Sequence, residues 1–310
     1  MTHPREVLTP EALTLLQAVA AAGSFAAAAR DLGLVPSAVT YRIRQIEDAL
    51  DVLLFDRTSR QARLTPAGAE LLREGRRLLV EIDAVANRVK RVATGWEPQL
   101  TIAADTVVSQ SVMMELLQAF YALAPITRMR LKEEALAGTL EAVVSGQADL
   151  ALGVVLQSVT TPGIQSRELG EMGFVFAVAP HHPLAALPEP LPDDLLQQHR
   201  AIAVADSVQR GEGLTFGLLA GQDVLTVPTM RAKLDAQLRG LGAGFVPEPM
   251  ARPYLETGRL VAKETQRGDR VVRFSCAWRA GGGRALQWWL QQLESPATRR
   301  ALIEQHRMPQ

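Results

Sequence analysis

One cysteine, Cys276, stands in 310 residues, so the chain cannot close a disulfide on itself, as expected of a protein in a reducing compartment. Within VVRFSCAW this thiol reads as a buried core residue; an oxidant sensor would lack a resolving partner. No apolar run approaches the ~18 residues of a membrane span. The opening MTHPREVLTPEAL has no apolar core of the signal-peptide kind. Together these absences predict a cytoplasmic protein that does not touch a membrane. Excess charge is missing as well, since 33 Lys+Arg meet 33 Asp+Glu. Residues 1–95 carry 13 basic and 11 acidic side chains, a balance of +2, and the remainder carries −2. Global basicity therefore gives no argument for nucleic acid, and only local placement can make one.

Catalytic signatures are absent too. There is no G-x-S-x-G elbow, no P-loop and no H-E-x-x-H. Gly240, Gly242 and Gly244 follow a helix and precede a strand, the reverse of a dinucleotide-binding loop. His181 and His182 are adjacent, so their side chains diverge, and no nearby Cys or acidic cluster completes a metal site. No enzyme, cofactor or metal is expected. The rival reading is a small-molecule-processing α/β enzyme with a DNA-binding appendage. A purely architectural DNA binder would not need the long α/β remainder of the chain.

What is present begins with helix punctuation. Thr9-Pro10 supplies an N-cap and a proline at the first helical position, Leu13, Leu16 and Ala20 make an apolar face, and Gly23 ends the helix. Ser24 caps a second helix, SFAAAARDL, closed by Gly33. In the third helix Val39, Ile43, Ile46 and Leu50 form a buried stripe, while Ser37, Thr40, Tyr41 and Arg44 run along a different face. Two short helices around a glycine turn fit a helix-turn-helix, whose second helix enters the major groove; they also fit a small bundle with a solvated polar face. The next stretch, LLFDRTSRQARLTP, favours the first reading. It predicts two strands, Leu53–Arg57 and Ala62–Thr65, carrying Arg57, Arg60 and Arg63 against Asp56 alone. A basic hairpin after a recognition helix is a wing suited to phosphates or the minor groove. Ser24 is placed with these DNA-facing residues.

Thr65-Pro66 starts a long helix to about Thr94. Leu71, Leu78, Ile82, Val85, Val89 and Val92, with Gly75 between the first two, follow a heptad seam. The same helix of a second subunit is its simplest cover, which predicts a homo-oligomer on a pseudo-palindromic site; packing on the chain's own second domain is the alternative. Gly75 reads as a gap where the helix pair bends.

Gly95-Trp96-Glu97-Pro98 reads as a hinge. Beyond it apolar strands alternate with helices, the α/β order of a mostly parallel sheet in two lobes, with a ligand cleft at strand C-termini. The expected division is a DNA-binding domain over 1–65, a dimerisation helix over 66–94 and an effector domain over 95–310. Lobe I would take about 98–168 and 269–310, and lobe II about 169–268.

The run SFAAAARDLGLVPSAVTYRIRQIEDALDVLLFDRTSRQARLTPAGAELL resembles the DNA-binding domain of LysR-type transcriptional regulators. Its Ser-Phe-x-x-Ala-Ala start, Ala-Val-Thr, Ile-Glu-x-x-Leu, Leu-Phe-x-Arg and Leu-Thr-Pro-Ala-Gly arrive in order at the family's spacing. The rest of the chain follows the family's layout more loosely. The resemblance implies an α/β protein with an N-terminal all-α, winged helix-turn-helix domain and a two-lobed effector domain like a periplasmic binding protein. By resemblance Pro36, Ser37, Thr40, Tyr41 and Arg44 face DNA, with Arg57 and the wing on the backbone. Val35-Pro36-Ser37 departs from the family's common Ser-Gln-Pro, removing a usual helix cap and a usual base-contacting glutamine, and Tyr41 replaces a commonly polar or basic residue. The resemblance also implies an effector cleft lined by Thr106, Ser109, Glu133 or Glu134, Ser207 and Thr229, with helix-start N–H groups near Ser109 and Met230 holding an electronegative group. Each hydroxyl is alternatively an ordinary helix cap. The implied partners are operator DNA, a small-molecule effector, a second or further copies of the chain as homodimer or homotetramer, and RNA polymerase if the protein activates.

Overall fold

The computed structural model describes residues 3–56, 62–123, 125–155, 162–208, 217–268 and 270–306. Arg57 and Arg60 lie outside them. The chain divides into two compact units, Met1–Ala86 and Asn87–Gln310. Among the described residues, no single helix is long and apolar enough to cross a membrane.

The first unit opens with a short helix, α1 (Pro4–Val7), which the sequence reading did not anticipate. In α2 (Pro10–Ala22) the Thr9 hydroxyl accepts from the Ala12 N–H at 3.3 Å, Pro10 takes the first helical position, and Gly23 closes the helix at φ 62°. In α3 (Phe25–Asp31) Ser24 caps in the same way, through the Ala27 N–H. Ala28 and Ala29 are fully buried there, small side chains that let helices approach closely. α4 (Pro36–Leu50) buries Val39, Ile43 and Ile46 against α2 and α3, and its N-cap, Val35, makes no side-chain cap bond. β1 (Phe55–Asp56) and β2 (Arg63–Leu64) then pair antiparallel, Phe55 opposite Leu64.

The hairpin ladder is shorter than the sequence suggested, because the flanking residues serve the core and the next helix. Leu54 is fully buried. The Thr65 hydroxyl donates to the Leu53 carbonyl at 2.6 Å and accepts from the Gly68 N–H at 3.0 Å, capping α5 (Pro66–Thr94). Gly68 is needed where it stands, since a Cβ there would lie 2.0 Å from the Leu54 carbonyl oxygen.

The long helix corrects one expectation. Leu71 packs into the first unit's own core, and a Cβ on Gly75 would lie 3.0 Å from Leu13. Neither residue belongs to an open seam, and Gly75 is a close contact rather than a bending gap. Beyond them Leu78, Ile82, Val85, Val89 and Val92 are exposed by 45%, 47%, 47%, 65% and 86%.

In the second unit the expected hinge is anchored. Glu97 is buried, and its carboxylate accepts from the N–H groups of Gly283, Ala285 and Leu286 at the start of α11 (Arg284–Gln292). From there the chain forms β3 (Gln99–Asp105), α6 (Gln110–Tyr121), β4 (Arg128–Glu134), α7 (Ala137–Val144), β5 (Leu150–Val155) and β6 (Ile164–Val178). It continues through α8 (Asp193–Gln197), β7 (Ala201–Val204), β8 (Val224–Val227), α9 (Met230–Leu238), β9 (Gly244–Pro247) and α10 (Glu248–Glu256). Last come β10 (Val261–Lys263), β11 (Arg270–Arg279), α11 and α12 (Pro296–Glu304). The main sheet runs β10-β6-β11-β5-β3-β4 with β9 also on β6, and β7-β8 form a separate parallel pair.

The expectation of a mostly parallel sheet fails here. β3 is parallel to β4 and β5, but β11 runs antiparallel to both β5 and β6, and β9 and β10 join β6 antiparallel. Of the two points where the sequence reading divides the lobes, β6 runs through the first, near residue 168, and β11 begins at Arg270, just past the second. The C-terminal part of β11 pairs with β5, and the C-terminal part of β6 carries β9 and β10. One pair of strands thus serves both halves of the unit. Cys276 is buried on β11, as expected, and burial raises its thiol pKa.

In the first unit Glu47 holds β1 to α4. Buried at 5% exposure, its carboxylate accepts from the Leu54 N–H at 2.8 Å and the Phe55 N–H at 3.4 Å. Glu47→Ala strands buried donors and is expected to lower the unfolding free energy of this unit by roughly 1–3 kcal/mol. Glu47→Gln, which keeps an acceptor, should lose less. Denaturant titration of the two variants checks this, and an unchanged Glu47→Ala midpoint would remove the carboxylate from the account of the wing.

Candidate functional site

Two sites emerge, one in each unit. The first is the exposed face of α4. Pro36, Ser37, Tyr41 and Arg44 are exposed, Tyr41 by 64%, and Thr40 is half-buried. The Thr40 hydroxyl donates to the Pro36 carbonyl at 3.0 Å, which leaves its oxygen able to accept from outside the helix. Gln45, which the sequence reading passed over, donates to the Tyr41 hydroxyl at 3.2 Å. One helical turn after Tyr41, it adds an amide to the stripe and orients the phenol. Val35 offers no side-chain cap, Pro36 has no N–H, and the Ala38 and Val39 N–H groups donate to the Val35 carbonyl, so the Ser37 N–H is the first-turn donor left for an anion such as a phosphate. The carboxylates of α4 sit away from this start. Glu47 is buried beneath β1, and Asp48 lies a turn beyond Arg44.

Arg63 is exposed on β2, opposite Asp56. Ser24 is half-buried with its hydroxyl engaged as the α3 cap, so its geometry is first that of a structural cap. The face therefore offers hydroxyls, an amide and guanidinium groups on convex, solvent-facing elements.

The second site is a cavity of about 90 Å³ in the second unit. It opens at the C-terminal ends of β3, β4, β5 and β7, where ligands of α/β sheets bind. Asp105, Thr106, Val107, Ala135, Leu136, Val155 and Val204 line it from these strand ends. Phe174 comes from β6, Met230 and Lys233 from α9, Phe245 from β9, Gly217 from the chain before β8, and Arg270, Val272 and Phe274 from β11.

Only one of the sequence-selected effector residues lines this cavity, and it is Thr106. Ser109 is buried and spends its hydroxyl on the Gln305 carbonyl and the Val112 N–H, tying α6 to the C-terminal segment. Glu133 is exposed and accepts from Gln110 at 3.3 Å. Glu134 pairs with Lys132 at 2.7 Å. Thr229 caps α9 through the Ala232 N–H at 3.1 Å. Ser207 stands behind the wall, bonded to both the N–H and the carbonyl of Ala135 at 2.9 and 3.1 Å. For Ser109 and Thr229 the cap alternative is what the structure contains, and the helix starts hold their own side chains.

The residues missed are the charged ones. Asp105 ends β3 and is buried; its oxygens accept from the Val107 N–H at 3.0 Å, the Leu136 N–H at 2.8 Å and the Thr139 hydroxyl at 3.3 Å. Burial outweighs these bonds and pushes its pKa up to about 6. The bond to Leu136 holds that residue at φ 56°, an unusual backbone for a leucine and a strained element in the cavity wall. Asp206 braces the same turn by accepting from the Ala137 and Gly138 N–H groups at 3.3 and 3.1 Å. Lys233, 6% exposed, has its pKa lowered to about 8, first by burial and then by the charge of Arg270. Arg270 lies over the Phe245 ring at 4.6 Å.

Among the described residues, no group of three or more His, Cys, Asp or Glu side chains is placed to hold a metal ion. The His181 and His182 rings diverge, as adjacency predicts. The first reaches the Arg239 carbonyl at 3.4 Å and the second caps the turn at Leu184.

Both sites fall within known families of sequence. Residues 10–69 match the family described as "Bacterial regulatory helix-turn-helix protein, lysR family". Residues 93–297 match the "LysR substrate binding domain". The probable HTH-type transcriptional regulator YhaJ of Escherichia coli (strain K12) is 37% identical over 289 residues, covering 92% of this chain and 96% of that protein. The HTH-type transcriptional regulator YeeY of the same strain is 33% identical over 284 residues, covering 91% and 92%. Among solved structures, CbnR, a LysR family transcriptional regulator, shares the fold with a TM-score of 0.61 at 19% identity over 93% of this chain and 99% of its own. In complex with its target DNA it gives 0.59, at the same identity and coverage. The chain belongs to the LysR family of transcriptional regulators, with an N-terminal DNA-binding helix-turn-helix and a two-lobed effector-binding domain.

Proposed function

We propose that this chain is a cytoplasmic, homo-oligomeric regulator without catalytic activity, which reads a pseudo-palindromic operator and changes its grip when a small molecule fills the second-unit cavity. The observation that carries the DNA reading is the exposed stripe of Ser37, Thr40, Tyr41, Arg44 and Gln45 on a helix whose opposite face is core. Arg44 and the hydroxyls are the base-edge candidates. Arg57, Arg60 and Arg63 are assigned to the phosphates. The exposed seam of Leu78, Ile82, Val85, Val89 and Val92 supports dimerisation through α5, because an apolar stripe of this kind is stable when a second helix covers it. Two-fold pairing then places two recognition helices on successive half-sites, with a tetramer as the larger assembly. An effector shifts this arrangement only to the extent that it binds one state more tightly than another. RNA polymerase is the further partner if the regulator activates.

Arg44→Ala is expected to weaken binding to a selected operator by roughly 1–3 kcal/mol and to relax specificity at one base position. Arg63→Ala should weaken all sequences alike and flatten the salt dependence. Affinity titrations at several salt concentrations on operator and scrambled duplexes check both, and an unchanged Arg44→Ala affinity would contradict the assignment of this helix face.

The seam makes a separate prediction. Ile82→Asp with Val89→Asp should convert dimers to monomers in analytical ultracentrifugation while the N-terminal unit stays folded. Leu71→Ala should instead lower the thermal stability of that unit and leave the oligomeric state unchanged. Dimers that persist in the Ile82→Asp, Val89→Asp variant would move the dimer contact off this seam.

A further inference from the structure

Among the described residues, Lys233 is a buried charge for which no ion-pair partner is in place. It is 94% buried by its 6% exposure and lines the cavity, where an ammonium group without a counter-charge is strongly disfavoured. Among the described residues no carboxylate pairs with it. The one acid on its own helix, Asp235, pairs with Arg239 at 2.9 Å. The one acid in the cavity wall, Asp105, has its oxygens engaged by Val107, Leu136 and Thr139. What Lys233 does face is a second cation, Arg270, stacked on Phe245. Around these two charges the wall is hydrocarbon and aromatic, from Val155, Phe174, Val204, Val272 and Phe274.

Two like charges in a cavity whose described lining is otherwise mostly apolar, Thr106 apart, with Asp105 as the one acid among those described lining residues and bonded to two N–H groups and the Thr139 hydroxyl, are complementary to one kind of guest. We propose that the effector is a small organic anion, whose carboxylate or equivalent oxyanion lies between Lys233 and Arg270 and whose apolar body fills the remaining wall. This rests on the reading of the cavity as the effector site and adds the ligand's chemical class. Arg270 supplies a planar fork suited to two oxygens, and the ammonium a point charge. With its pKa lowered only to about 8, Lys233 is still charged near neutral pH, and a bound anion would balance that charge and favour the protonated amine. Phe174 and Phe274 add aromatic carbon to the lining, which suits an apolar body.

The test uses the full-length protein in two parts. In the first, the ligand-free melting temperature of Lys233→Met is compared with wild type. Removing an unpaired buried charge at constant volume is expected to raise it; a fall would mean that Lys233 is held by an internal counter-charge and would overturn the proposal. In the second, calorimetry and thermal shift are run with a panel of aliphatic and aromatic monocarboxylates, acetate through benzoate and phenylacetate, each beside its uncharged amide, and with inorganic phosphate. Expected is binding by at least one of the larger carboxylates, at least tenfold tighter than its amide and lost in both Lys233→Met and Arg270→Gln.

No binding by any carboxylate, or equal binding by the amides, would overturn the anionic class. Phosphate binding as tightly as the best carboxylate would overturn the apolar body. Operator affinity with and without the bound carboxylate separates the two readings. Binding through Lys233 with no change on DNA removes the effector role and leaves the anion site standing. A neutral guest that changes DNA affinity does the opposite.

Discussion

The register between β6 and β11 is the constraint on which the second unit depends. Arg270 stands opposite Phe174 and Val272 opposite Met172. Side chains alternate faces along a strand, so Arg270, Val272 and Phe274 share one face, and all three line the cavity with Phe174. A slip of one residue would turn the whole set to the other face and remove the guanidinium from the site. Because the same two strands also carry β5 at one end and β9 and β10 at the other, whatever sits in the cavity touches the frame shared by both halves. A guest between Lys233 and Arg270 therefore bridges α9 to β11, which are distant in the chain. This is a direct route from a small ligand to the relative placement of the lobes, and it needs no contact beyond the walls already described.

The first unit solves a different problem, presenting a polar helix face with little chain behind it. Fully buried alanines bring α3 close to its neighbours, so the aliphatic stripe of α4 packs on α2 and the opposite face stays in solvent. One buried carboxylate, Glu47, then turns the chain from that helix into the wing through two backbone N–H groups. Charged acceptors make the stronger hydrogen bonds, which suits a position where a short hairpin has few ladder bonds of its own.

Much of this was legible where the signal is local. Thr9-Pro10, Gly23, Ser24 and Thr65-Pro66 are caps and stops that act within one turn, and each does in the fold what its type predicts. Periodicity was less decisive. Leu71 obeys the same heptad as Leu78, but sequence spacing does not distinguish a helix's own domain from a partner. The long β6 was only half visible, since FVFAV reads as a buried strand while the charged Arg167, Glu168 and Glu171 before it mask the rest. The effector residues were the least legible. Ser109 and Thr229 carry the pattern of a ligand-binding helix start and that of a plain cap equally well, and the structure uses them as caps. The charged cavity residues are assembled by tertiary register, with one readable trace. Lys233 lies on the buried stripe of Met230, Leu234 and Gln237, where a lysine is out of place unless it has a task.

If the exposed face of α4 reads sequence, the protein itself selects the DNA it keeps. Sheared genomic DNA retained by the purified full-length chain, sequenced after washing at two salt concentrations, gives the answer. Enrichment of a few pseudo-palindromic sites that survives the higher salt is expected, because base contacts outlast the screening of phosphate contacts. Uniform retention erased by salt would contradict it, leaving a backbone binder whose helix face carries no code.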